Sequence, residues 1–233
     1  MKGFVVVGTD TDAGKTAFSL HLLTAFADQF SYWKPVETGE SDTEKVRRLV
    51  PTATVFNPLA RFTDPVAPAL AARREGRPMP GVGEILAAVP ASDRPILVET
   101  FGGPFSPLTD NTLQIELLRE FRLPLVLVTS SAVGAIGRVL QAMQALEGQG
   151  VRAAAVVLIG CEDEYAVGQI TRHTSGVAVV GLSPPVGEWT VVSLVASAML
   201  HRKLLDRVLD AITRPAGGTI IPTCGDCHLR AAT

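Results

Sequence analysis

Residues 8–16 read Gly8-Thr9-Asp10-Thr11-Asp12-Ala13-Gly14-Lys15-Thr16. They follow the apolar run Phe4–Val7 and open a helical stretch, Lys15–Ala27. A strand, a glycine-bounded turn and a helix in that order form the setting of a phosphate-binding loop. Successive backbone N–H groups, from Asp12, Ala13 and Gly14 onward, can cradle phosphate oxygens at the positive helix end. Lys15 is placed to neutralise the β- and γ-phosphates of ATP, and the Thr16 hydroxyl to ligate Mg²⁺. Five residues separate Gly8 from Gly14, one more than the common form of the loop. This stretch predicts a nucleotide-binding protein.

Working outward, short apolar runs alternate with amphipathic ones. Strands are expected at Phe4–Val7, Tyr32–Lys34, Ile96–Val98, Leu125–Val128, Ala155–Ile159 and Val177–Leu182. Most are unbroken apolar runs, which implies a sheet covered on both faces. Helices are expected at Lys15–Ala27, Thr43–Leu49, Leu113–Phe121, Val133–Leu146, Glu164–Arg172 and Val192–Ile212, the second opened by a Ser41/Glu44 capping box. The fold class is α/β: a P-loop NTPase-type parallel sheet with helices on both faces, in one domain over residues 1–213. Residues 51–94, rich in Pro, Ala and Arg, read as an insertion with two short helices, and residues 214–233 as a poorly ordered tail.

Two further segments sit where an open parallel sheet places its ligands, at the carboxyl ends of strands. Lys34-Pro35-Val36-Glu37-Thr38-Gly39 puts a lysine where it can face a transferring phosphoryl group and Thr38 where it can bond a small substrate. Ile96-Leu97-Val98-Glu99 is an apolar strand ending in a carboxylate, the position of a Mg²⁺-holding acid. Asp42 is a third candidate for the metal. Thr9 and Thr11 bring polar side chains to the γ-phosphate side of the loop.

Composition narrows the field. With 21 basic and 23 acidic residues the net charge is −2, which leaves no electrostatic footprint for nucleic acid. No stretch approaches the ~20 apolar residues of a membrane span, and the apolar start is too short for a signal-peptide core. Three cysteines do not make a disulfide framework. A cytoplasmic enzyme with small-molecule partners is expected.

Together GTDTDAGKT, KPVETG, SDTEKV, the Glu99–Gly103 segment and Ser183-Pro184-Pro185 resemble the dethiobiotin synthetase family over about residues 3 to 190. The resemblance implies an ATP- and Mg²⁺-dependent cyclo-ligase. Such an enzyme builds the ureido ring of dethiobiotin from 7,8-diaminopelargonic acid and CO₂, through a carbamate and its mixed anhydride with phosphate. It also implies a homodimer with the diamine near the subunit interface. Carried over, Lys15, Lys34 and Thr11 are catalytic, and Thr16, Asp42 and Glu99 hold Mg²⁺. ATP contacts come from Asp12 to Thr16, Asp42, Glu99, Gly102 and Ser183 to Pro185. Thr9, Thr11, Thr38 and Arg138 face the substrate.

The chain departs from the family at four places. Thr100-Phe101 replaces two small residues beside the nucleotide. Ala67-Pro68-Ala69 lacks a histidine. Gly134-Ala135-Ile136-Gly137-Arg138 replaces a Gly-x-Ile-Asn-His segment, so Arg138 stands as the candidate for the diamine carboxylate. Ile159-Gly160 lacks an adenine-reading Asn. The alternatives are a related ligase on another amine and a P-loop regulatory or partitioning ATPase. The second is disfavoured by Asp10, where those proteins usually carry lysine.

Weaker signals read as structural. Cys224-Gly225-Asp226-Cys227-His228 matches a haem-attachment pattern but sits in the tail without an export signal. Cys161 is expected to pack. His21 and His201 read as surface or satisfied helical residues, and Phe26, Phe30, Tyr32 and Trp33 as core. The helix from Val133 to Leu146 suits either the sheet or a second subunit.

Overall fold

A computed structural model describes residues 1–213. The central sheet is parallel throughout, with β1 (Gly3–Gly8) between β6 (Ile96–Glu99) and β7 (Leu125–Ser130). β2 (Ser31–Trp33) and β4 (Thr54–Val55) extend it beyond β6, and β8 (Ala153–Ile159) and β9 (Ala178–Leu182) extend it beyond β7. A separate parallel pair joins β3 (Val36–Thr38) to β5 (Ala60–Phe62). The insertion therefore supplies strands as well as its two helices, α3 (Pro68–Arg74) and α4 (Val82–Ala87).

Each strand feeds two cores because its side chains alternate. Val5, Val7, Ile96, Val98, Leu125 and Leu127 pack on one face, with α5 (Gln114–Phe121), α6 (Ala135–Gly148) and α7 (Glu164–His173). Phe4, Val6, Leu97, Val126 and Val128 pack on the other, with α1 (Lys15–Ala25), α2 (Asp42–Leu49), α8 (Val191–Leu200) and α9 (Arg202–Thr213). Phe26, Phe30, Tyr32 and Trp33 are buried in these cores. In α6 the buried residues Val139, Met143 and Leu146 face the sheet side, while Val133 lies fully exposed in the loop before it.

Three expectations need correction. The helix expected over Val192–Ile212 is two helices, broken at His201. That imidazole lies 2.8 Å from the Ser197 carbonyl and accepts from the Ser183 N–H at 3.3 Å, so it turns inward where the chain restarts. Of the two readings of His21 and His201 the satisfied one holds, since both are buried and hydrogen-bonded. Ser41 caps α2 by accepting from the Glu44 N–H, but the Glu44 carboxylate pairs with Arg47 instead of closing the box. Cys161 is exposed, because the chain turns outward after β8 at Gly160, whose φ is 140°. The tail over 214–233, with its Cys224 to His228 pattern, lies outside the described residues.

Candidate active site

Strand alternation and register assemble the site. Leu97 faces the α1 side of the sheet, so Glu99, two residues on, does too. Tyr32 faces the same side, which turns Lys34 toward it. Trp33 lies opposite Val98 in the parallel register, which brings Lys34 level with Glu99. From α1, Thr16 and Ser19 project toward them with helical i, i+3 spacing.

The contacts are short and mutual. The Thr16 hydroxyl lies 2.8 Å from both Asp42 Oδ1 and Glu99 Oε1. Ser19 donates to Glu99 Oε2 at 2.6 Å. Lys34 Nζ lies 3.1 Å from Glu99 Oε1 and forms an ion pair with Asp42. Lys15 Nζ bonds the Asp10 carbonyl of its own loop at 3.1 Å. Lys15, Lys34 and Glu99 are buried. Burial pulls Lys34 down, but the Glu99 and Asp42 carboxylates outweigh it and hold the ammonium above its ordinary value. Lys15 is lowered, first by burial and then by Lys34. Burial pushes Asp42 up, but Lys34 and the Thr16 hydroxyl bring it below its ordinary value.

This has a consequence for acid stability. A carboxylate with a depressed folded value contributes stability above its unfolded value, and that contribution is lost as pH falls through the folded one. Asp42 therefore supports the fold fully above its ordinary 3.8 and loses that support below it. Denaturant midpoints followed from pH about 5 down to about 2 should fall less steeply in Asp42→Asn than in the parent chain.

Thr16, Asp42 and Glu99 suit Mg²⁺. All three present hard oxygens, and two carboxylate oxygens converge on one hydroxyl, whose single proton can serve only one of them. Among the described residues no group of three or more His, Cys, Asp or Glu side chains forms an alternative metal site. Mg²⁺ commonly relies on one or two carboxylates plus nucleotide phosphates, which matches this donor set.

The loop itself is tightly packed. Gly14 has φ 95°, and a Cβ there would fall 2.7 Å from Ile159 Cβ. Asp12 holds the left-handed conformation with φ 57°. Ala13 is buried. Gly8 donates to the Gly102 carbonyl at 3.2 Å, and a Cβ on Gly103 would meet the Thr9 carbonyl at 2.7 Å. The bulk of Thr100 and Phe101 does not obstruct this approach: Thr100 bonds the Val6 carbonyl at 2.9 Å, and Phe101 packs on the core of the opposite face.

The remaining candidates are spread more widely. The Thr9 hydroxyl donates to Thr129 at 3.0 Å, turned toward β7. Thr11 is exposed on the loop, and Thr38 is half-buried at the end of β3. The Ser183 N–H and carbonyl are held by His201 and Ser197, with Pro184 and Pro185 following half-buried. Arg138 spends its guanidinium on the loop before α6, donating to the Ser130, Ala132 and Val133 carbonyls at 3.0 to 3.1 Å. Its Nε lies 3.9 Å from Asp10 Oδ2. Three residues were missed in the sequence. Ser19 was within reach by its spacing from Thr16. Gln114, which bonds the Phe101 and Gly103 carbonyls at 2.6 and 2.8 Å, and the buried Glu37 carried no signal.

A parallel sheet with this loop after its central strand, an acid at the end of the next strand and two buried lysines defines a P-loop nucleotide-binding α/β domain. A family model described as an AAA domain matches residues 2–191. The chain is 34% identical over 198 residues to the ATP-dependent dethiobiotin synthetase BioD of Paramagnetospirillum magneticum, covering 83% of this chain and 93% of that protein. It is 36% identical over 191 residues to the protein of the same name from Nitrobacter hamburgensis, covering 80% and 87%. The chain belongs to the dethiobiotin synthetase family. In fold it is similar to a ParA family ATPase from Chlorobium tepidum, with a TM-score of 0.51 at 12% identity over 89% of this chain and 97% of that one. The MinC:MinD complex of Aquifex aeolicus gives the same score at 10% identity over 94% and 98%. These two likenesses concern the fold alone.

Proposed function

We propose that the chain is an ATP-dependent dethiobiotin synthetase, closing the ureido ring from 7,8-diaminopelargonic acid and CO₂ with Mg²⁺. The observation that carries this is the convergence of Thr16, Lys34, Asp42 and Glu99 beside the phosphate loop, in a chain of that family. Phosphoryl transfer to a carbamate demands positioning and charge stabilisation more than a strong base. Lys15 from the loop and Lys34 from the end of β2 supply buried positive charge. The loop N–H groups and the α1 N-terminus bind phosphate oxygens. Thr16, Asp42 and Glu99 would hold Mg²⁺, which when bound would help neutralise the charge of the transferring phosphoryl group. Thr11 and Thr38 would orient the carbamate and the diamine.

The chain works as a homodimer in the cytoplasm under this reading. No helix among the described residues is long and apolar enough to cross a membrane. A second reading, a ligase for another amine, draws on Arg138, whose guanidinium is committed to its own loop. One assay separates the two. The protein is incubated with ATP, Mg²⁺, bicarbonate and 7,8-diaminopelargonic acid, and ADP release and product mass are followed together. Diamine-dependent ADP with the mass of dethiobiotin is expected. ATP binding without diamine-dependent ADP would refute the first reading in favour of the second.

A further inference from the structure

Glu37 is a glutamate with 1% of its surface exposed, and among the described residues it makes no ion pair. A buried carboxylate without a cation is costly unless donors replace its hydration. Its three donors come from the N-cap and the first turn of α2. Ser41 Oγ donates at 2.7 Å, the Thr43 N–H at 2.7 Å and the Thr43 hydroxyl at 2.6 Å. The positive end of the helix adds to these bonds. The donors belong to the residues immediately before and after Asp42, so Glu37 holds both flanks of that residue, Ser41 by its hydroxyl and Thr43 by its hydroxyl and backbone N–H. Asp42 in turn meets Thr16 and Lys34. Glu37 lies on β3, three residues beyond Lys34, and β3 is itself held by β5 through Val36 opposite Ala60 and Thr38 opposite Phe62.

We propose that Glu37 is a positioning residue of the phosphoryl-transfer site, fixing the α2 N-terminus so that the Asp42 carboxylate reaches the metal position. This rests on the reading of Asp42 as a metal-holding carboxylate. The Glu37 carboxylate bonds Ser41 and Thr43, and through them it acts on Asp42. The insertion reaches the site by the same route, since β5 braces the strand that carries Glu37.

The test is Mn²⁺ affinity, measured by electron paramagnetic resonance with a non-hydrolysable ATP analogue, together with nucleotide affinity alone. Glu37→Ala is expected to weaken Mn²⁺ by about tenfold or more, the usual cost of losing a partner that orients a ligand, with nucleotide affinity little changed. Glu37→Gln should recover most of the loss, since its carbonyl can accept from Thr43 while its amide faces Ser41. Thr43→Val removes one donor without emptying the buried site and should shift Mn²⁺ in the same direction by a smaller factor, which keeps the test open if Glu37→Ala folds poorly. In an Asp42→Asn background Glu37→Ala should add nothing. An equal further loss there, or unchanged Mn²⁺ affinity in both Glu37→Ala and Thr43→Val, overturns the proposal while leaving the metal reading intact. Unchanged Mn²⁺ affinity in Asp42→Asn alone overturns the metal reading and the proposal with it.

Discussion

Lys34→Met lowers diamine-dependent turnover by about a thousandfold or more, the scale on which phosphoryl-transfer enzymes lose rate with a transition-state cation. The same substitution strengthens Mn²⁺ binding. Both follow from one arrangement. Lys34 Nζ contacts Glu99 Oε1, which also faces Thr16, and the second oxygen of the Asp42 carboxylate, so the ammonium and a divalent cation compete for the same two carboxylates. Removing the ammonium leaves two carboxylates, one of them fully buried, without their partner, and a cation then gains what the lysine supplied. Methionine keeps the length and apolar character of the stem, so packing changes little. Steady-state turnover and metal titration on one preparation read both effects. A variant that loses turnover and metal affinity together would show that Lys34 holds the carboxylates in place instead of competing for them.

Gly14→Ala weakens nucleotide binding by about a hundredfold or more. Part of this comes from forcing an alanine into a left-handed conformation and part from displacing loop N–H donors, each worth about 1.5–3 kcal/mol with a charged partner. The added Cβ lies 2.7 Å from Ile159 Cβ and 2.9 Å from its Cγ atoms, and this residue is fixed in β8. The loop therefore moves and not the strand. Gly83→Ala serves as the control, since nothing lies within 4 Å of its added Cβ in α4, and it should leave nucleotide affinity unchanged. Fluorescent-nucleotide titration and a thermal melt on both variants separate lost binding from lost folding.

Legibility in the sequence depended on how much each residue declares by itself. Phe4–Val7 and Leu125–Val128 are apolar at every position because both sheet faces are covered, and that pattern survives without any structure. β4, which pairs with β2, and the pair β3–β5 escaped notice, being two or three residues long and set near prolines. Thr16, Lys34, Asp42 and Glu99 stand in recognisable segments, and the structure brings them together. Glu37 did not stand out because glutamate is ordinarily exposed; only the fold reveals that it is buried. Arg138 suggested a free cation, but its engagement with three carbonyls depends on the path of a loop that periodicity cannot trace. The break at His201 was hidden for a similar reason, since an apolar run followed by an amphipathic one reads as continuous helix.

The strand order also shapes how the chain is made. β1 and β2 are consecutive in the chain but do not touch, because β6 lies between them. Gly3 finds its partner only in Ile96, and Val5 finds its other neighbour in Leu125. At about 5–20 residues per second, a ribosome holds the first strand unpaired for several seconds before either neighbour emerges. Through that interval Phe4, Val5, Val6 and Val7 lack the strands on both sides of them. An apolar strand left without its partners in this way is open to association with other chains until β6 and β7 have been made.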